Sequence, residues 1–353
     1  MKKKVAVLFG GKSTEYEISL ESASSVIQGI DEEKYEKVLI GIDREGRWYR
    51  YYGDVEKILS DRWCNDTDCV RAVLSPDRET KGLLEIHKGQ VTVTHLDLAL
   101  PVLHGKNGED GTVQGLIELS GIPLVGCDTL CSALCMDKDR AHKLAALAGV
   151  NVPRASVFQK PEKPEEQESE WLAAAASIGY PLFVKPVRAG SSFGVTKVTE
   201  ETALAAAVRE AYCHDREVIM EEAIEGFEVG CAVMGDRELT VGEVDEIELA
   251  HGFFDYTEKY TLKTSRIYVP ARIRPETAAR IKETAQAIYR ALGCSGFARV
   301  DMFLTPEERI VFNEVNTIPG FTSHSRFPSM MKAAGISFEE VVRRLLESRE
   351  EQE

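Results

Sequence analysis

Apolar residues along this chain gather in short runs broken by polar, glycine-bearing loops. KVAVLFG (4–10) predicts a buried strand ending in a Gly-Gly loop, followed by a helix through ISLESASSVIQGI (18–30). KVLIGID (37–43) and LDLALPVLHG (96–105) predict further strands, followed by helix TVQGLIELSG (112–121) and a short strand PLVG (123–126). Strand–loop–helix alternation of this kind predicts a parallel α/β sheet. The stretch 44–95, rich in Trp, Tyr and charge, fits the pattern poorly and reads as an insertion. Beyond Asp137 come helix DRAHKLAALAG (139–149), a Pro- and Glu-rich stretch (160–168), and strands YPLFVKP (180–186) and GVTKV (194–198). From Glu217 onward, EVIMEE, FEVGCAVMG and ELTVGEVDEIEL predict strands. A helix over 276–293 then carries Ile281, Ala285, Ile288 and Leu292 on one stripe and stops at Gly293. Three segments result, 1–137, 138–216 and 217–353, with no internal repeat.

The balance of 43 Lys+Arg against 58 Asp+Glu gives a net charge of −15, which argues against nucleic acid or an anionic membrane as partner. It leaves room for a small anionic substrate in a local basic pocket. The basic start MKKK precedes an apolar stretch too short for a signal peptide, and no apolar run approaches the roughly 20 residues that span a bilayer. The eight cysteines show no CxxC pair and no metal spacing with His. Cys127, Cys131 and Cys135 fall on one helical face and read as buried free thiols, consistent with a cytoplasmic protein.

Candidate chemistry concentrates in ARVDMFLTPEERIVFNEVN (298–316). Its turn centres between Glu307 and Glu308, so a hairpin pairs Asp301 with Glu314 and Arg299 with Asn316, all four on one face. Opposed carboxylates repel unless a cation sits between them, and two carboxylates with an amide oxygen are hard ligands suited to Mg²⁺. In VKPVRAGSSFGVTKV (184–198), a turn of Gly190, Ser191, Ser192 and Gly194 beside Lys185 and Arg188 suits phosphate oxygens. GGKST (10–14) lacks the earlier glycine of a P-loop, and no dinucleotide-binding G-x-G-x-x-G occurs. Polar loops at 10–19, 100–111 and 316–326 bring Glu15, His104, Gly320, Ser325 and Arg326 to strand or helix ends. The aromatic and lysine-bearing stretch 252–265 has the composition of a lid.

Together GGKSTEYEISL, LHGKNGEDGTVQG, MDKDRAHK, FVKPVRAGSSFGV, EVIMEEAI, DYTEKY, ARVDMF and FNEVNTIPGFTSHS resemble the D-alanine–D-alanine ligase family of the ATP-grasp superfamily over nearly the whole chain. The resemblance implies an α/β ATP-grasp fold of three domains, the first a Rossmann-like parallel sheet. It implies ATP and two Mg²⁺ ions (Mn²⁺ as a substitute), D-amino acid substrates and a homodimer. Lys138 and Lys185 would contact ATP phosphates, Glu221 and Ile224 would border the adenine, and Glu228 would hold the ribose. Asp301, Glu314 and Asn316 would bind the metal. Glu15 would pair with the ammonium of the first D-alanine and join Ser191 and Tyr260 in latching the lid, with His104 nearby in the substrate cleft. Lys259 would reach the transferred phosphate. Arg299 and the Gly320 N–H would stabilise the oxyanion, and Ser325 would hold the second substrate's carboxylate. Arg326, Phe254 and Asp245 look most like the G-type vancomycin-resistance ligases, which join D-alanine to D-serine. A housekeeping D-alanine–D-alanine ligase and a catalytically dead nucleotide-binding regulator are the alternatives.

Overall fold

The computed structural model describes residues 2–65, 67–163, 167–190, 193–249 and 265–350, and every structural statement here concerns these. The first sheet has the strand order β6-β5-β4-β3-β2-β1-β7. Its parallel part is β1 (Lys3–Gly10) between β2 (Tyr35–Ile42) and β7 (Leu98–Pro101). Val5 to Phe9 are wholly buried because both faces of β1 are covered, which is why the strand reads as an unbroken apolar run. Helix α1 (Tyr16–Gly29) packs on the Val5, Val7, Phe9 face, while α3 (Thr112–Ser120) covers Ala6 and Leu8. Gly10 lies at φ +86°, and a side chain there would meet the Ile42 carbonyl at 2.2 Å, so the strand's exit requires glycine.

The stretch 44–95 extends this sheet through antiparallel strands β3 (Trp48–Tyr51), β4 (Cys69–Leu74), β5 (Gly82–His87) and β6 (Gln90–His95). Helix α2 (Val55–Leu59) and the fully buried Trp63, 5.0 Å from Phe9 between ring centroids, join it to the first core. The expected strand PLVG reduces to one parallel bridge, Ala99 with Leu124. Pro123 has no N–H to give, and Gly126 turns the chain away at φ +120°.

Helices α4 (Thr129–Met136) and α5 (Lys138–Leu147) lead to a second sheet. It comprises β8 (Ala155–Gln159), β9 (Leu182–Pro186), β10 (Thr196–Val198) and β11 (Glu217–Glu222) in the order β10-β9-β11-β8. Helices α6 (Glu168–Ile178) and α7 (Leu204–Ala211) cover it with Trp171 and Val208. The strand Glu217–Glu222, expected to open the third segment, therefore pairs with β9 and β8 of the second sheet.

The third sheet holds β12 (Phe227–Met234), β13 (Thr240–Val241), β14 (Asp245–Leu249), β15 (Ser265–Tyr268), β16 (Phe297–Leu304) and β17 (Ile310–Asn316). The single strand expected over 238–249 is divided between β13 and β14. At the break, the Glu243 N–H leaves the ladder to donate to the Met330 carbonyl at 2.9 Å. Helix α8 (Pro275–Ala291) buries its predicted stripe, and α9 (Arg326–Ala333) and α10 (Phe338–Glu350) pack back toward the first core.

Candidate active site

The β16–β17 ribbon has the register its turn predicts: Arg299 faces Asn316 and Asp301 faces Glu314, with an irregularity between Asp301 and Met302. Arg299 supplies counter-charge, its Nε and Nη2 donating to Asp301 at 2.9 and 2.6 Å. Asn316 Nδ2 adds a third bond at 2.9 Å. Burial opposes charge on Arg299, but Asp301 outweighs it and holds the guanidinium pKa above its ordinary value. Two carboxylates and an amide on one face fit Mg²⁺ as a hard-oxygen donor set, and guanidinium groups already stand in for the cation that this face demands.

Arg326 opens α9 from the other side of Asp301. It is buried, with Nε and Nη2 donating to Asp245 at 2.6 and 2.8 Å and Nη1 to Glu228 at 2.8 Å. Its Nη2 lies 3.3 Å from Asp301. Asp245 on β14 has no exposed surface, so it acts by fixing Arg326 rather than by meeting a ligand directly. Gly230 makes the cluster possible, since a side chain there would stand 2.4 Å from the Arg326 guanidinium.

A second group of charges lies across β9, β11 and α5. Lys185 Nζ donates to Glu221 at 2.5 Å, and Lys138 Nζ reaches the Ala189 carbonyl of the glycine-rich hairpin at 2.8 Å. Burial alone would raise the Glu221 pKa, but Lys185 and His142 hold it below the usual carboxylate range. Glu221 Oε1 and His142 Nδ1 are 3.5 Å apart, buried, and each lacks a hydrogen-bond partner. The orphaned carboxylate oxygen has room for a hydrogen-bond donor and the two lysines suit an anion, a pairing that a nucleotide's amino-bearing base and phosphates could meet. Ile224 lies half-buried in the loop that follows β11.

The N-terminal loops meet the ribbon around a cavity of about 220 Å³ lined by Glu15, His104, Arg299, Asn316, Ser325 and Arg326, with Gly320 beside them. His104 is locked by Ile318 O at 2.8 Å and Ser22 Oγ at 3.1 Å, and burial lowers its pKa. Glu15 is pressed between two glycines: a side chain on Gly105 or Gly190 would stand 2.3 or 2.9 Å from its Oε2. The loop after β7 and the hairpin after β9 thus converge on one carboxylate. Ser325 Oγ caps the adjoining turn, accepting from Thr322 N–H at 3.1 Å. Ser191, Phe254, Lys259 and Tyr260 lie outside the described residues.

Glu109 and His142 are site residues that the sequence reading did not single out. Glu109 accepts from the Gly105 and Ile318 N–H groups at 2.8 and 3.1 Å. Burial, and then the Glu15 carboxylate, push its pKa up to about 8, which favours the neutral carboxyl. A carboxyl whose pKa rises on folding stabilises the fold fully below its ordinary value of 4.5, and that contribution fades as pH climbs through about 8. Glu109→Gln is therefore expected to flatten the fall of melting temperature between about pH 5 and pH 9. A slope unchanged in the variant places its origin elsewhere. For His142 a signal existed, because it falls one helical turn after Lys138 on α5.

Comparison with known proteins identifies the family. The family model described as D-ala D-ala ligase N-terminus matches residues 4–127, and D-ala D-ala ligase C-terminus matches 144–347. Vancomycin/teicoplanin A-type resistance protein VanA of Enterococcus faecium is 47% identical over 348 residues, 97% of each chain. A D-alanine--D-alanine ligase of Caldicellulosiruptor bescii is 44% identical over 346 residues, 98% of this chain and 94% of the relative. The crystal structure of VanG D-Ala:D-Ser ligase from Enterococcus faecalis matches with a TM-score of 0.92 at 58% identity, covering 99% of this chain and 100% of that one. Among the described residues no helix is long and apolar enough to cross a membrane. With both family models matched in order along one α/β chain, the protein belongs to the ATP-dependent D-alanine–D-alanine ligase family, with its ATP-grasp fold.

Proposed function

We propose that this ligase joins D-alanine to D-serine. The observation that carries the reading is the Arg326–Asp245–Glu228 cluster, which puts a fixed guanidinium in the wall of the cavity that Glu15 and Arg299 share. Serine differs from alanine by one hydroxyl. An apolar wall excludes that hydroxyl weakly, whereas a wall that bonds it discriminates strongly against the methyl analogue, whose binding leaves buried polar groups unpaired.

A carboxylate is a poor electrophile, so ATP first converts the carboxylate of D-alanine to an acyl phosphate with release of ADP. The neutral amine of the second substrate then attacks the carbonyl carbon, and the tetrahedral adduct expels phosphate. In this reading Lys138 and Lys185 hold the nucleotide phosphates, while Glu221 and Ile224 border the adenine and Glu228 the ribose. Glu15 holds the ammonium of the first D-alanine. Arg299 and the Gly320 N–H oppose the oxyanion, and Ser325 holds the second carboxylate. Lys259 meets the transferred phosphate, and Ser191 and Tyr260 join Glu15 in closing the lid, since water would hydrolyse the acyl phosphate. Mg²⁺ held by Asp301, Glu314 and Asn316 would neutralise phosphate charge.

Incubation with ATP, Mg²⁺, D-alanine and D-serine together, followed by mass spectrometry of the dipeptides, tests the reading. D-alanyl-D-serine is the expected main product. A predominance of D-alanyl-D-alanine at neutral pH makes the enzyme a housekeeping ligase instead, and absence of D-alanine-dependent phosphate release rejects ligase activity altogether.

A further inference from the structure

Four buried thiols converge away from the cleft, between α4 and the connection from α8 to β16. Cys127 precedes α4, Cys131 and Cys135 lie on one face of it, and Cys294 follows α8. The Cys131 and Cys135 sulfurs are 3.8 Å apart, and those of Cys135 and Cys294 are 3.9 Å apart. Cys127, Cys131 and Cys294 place their sulfurs within 4.8 Å of one another. Four thiolates on one tetrahedral zinc ion, each at about 2.3 Å, stand about 3.8 Å apart. Two of that tetrahedron's six edges already have this length and three lie within about 1 Å of it. Cys135 does not join the group within 4.8 Å, which leaves Cys127 to Cys135 as the long edge that an ion would draw in.

We propose that Cys127, Cys131, Cys135 and Cys294 form a structural zinc site. Separate segments supply the ligands, so a bound ion ties α4 to the end of α8. Soft thiolates select zinc over the hard Mg²⁺ that suits the oxygen-lined ribbon. Binding costs the weak bonds that the Cys127 thiol gives to the Ser295 and Phe297 carbonyls at 3.4 and 3.8 Å. A cleft of about 590 Å³ lined in part by Gly126, Asp128 and Ser295 brings solvent to the chain neighbours of Cys127 and Cys294.

The full chain, purified under reducing conditions from zinc-supplemented cells, is expected to carry one zinc ion by elemental analysis. Exchange with Co²⁺ is expected to give the sulfur-to-cobalt charge-transfer bands and intense visible bands of a tetrahedral thiolate site. Cys135→Ser and Cys294→Ser are expected to lose both, whereas Cys213→Ser, at an exposed position, keeps them. Should the core variants fail to fold, the cobalt spectrum of the unaltered chain decides alone. Metal-free protein whose cobalt form shows no thiolate bands overturns the proposal, as does metal that survives both core substitutions or a Cys131–Cys135 disulfide in the reduced preparation.

Discussion

Glu314→Ala is expected to cut turnover by roughly 10²- to 10³-fold, which is the several kcal/mol that a divalent ion contributes to phosphoryl transfer. The melting temperature is expected to hold or rise slightly. Glu314 is only half-buried, and it stands directly opposite Asp301 in the ribbon, where like charges destabilise by roughly 0.2–1 kcal/mol. Removing one carboxylate relieves that repulsion and leaves Arg299 and Arg326 still paired to Asp301 at 2.6 and 3.3 Å. Asp301→Ala provides the contrast. It withdraws the shared acceptor from the buried Arg326 guanidinium and the part-buried Arg299 one and is expected to lose stability together with turnover. Steady-state rates at saturating Mg²⁺ beside thermal melts separate the two cases. A collapse of the Glu314→Ala melting temperature equal to that of Asp301→Ala assigns Glu314 a structural role instead.

The ribbon was legible because two local rules, the turn centre and the side-chain period of two, fix which residues oppose which. Both act within a span of nineteen residues, Ala298 to Asn316. The parallel core of the first sheet was legible for a similar reason, since Val5 to Phe9 are covered on both faces. Segment 44–95 was not, because β6 forms the sheet edge with Val91 and Val93 exposed, so apolar positions there do not mark a buried face. Glu109 was opaque, and His142 marked only by its place one turn after Lys138, for another reason. Their chemistry arises from distant partners, Ile318 for the one and Glu221 for the other, and from burial that only the assembled units create. The thiol cluster shows the same limit. Cys127, Cys131 and Cys135 suggest a helical stripe, and only the approach of Cys294 makes a fourth vertex.

Arg326→Leu tests specificity, and the fold sets the terms of that test. The substitution strips Asp245, which has no solvent exposure, of its bidentate partner, and removes one partner each from Glu228 and Asp301. Breaking such a buried pair from one side costs about 3–5 kcal/mol, because the remaining charge stays desolvated. Asp301 keeps Arg299, so most of the penalty falls on Asp245. A second substitution, Asp245→Asn, removes that stranded charge, and the double variant is expected to recover much of the lost melting temperature. The product ratio is read on both. If the guanidinium bonds the serine hydroxyl, its loss shifts the ratio of D-alanyl-D-serine to D-alanyl-D-alanine toward the latter by about tenfold or more, in the single and double variants alike. Stability that recovers in the double variant without any movement of the ratio in either one makes Arg326 and Asp245 a structural pair and moves the selection of D-serine to other residues of the cleft.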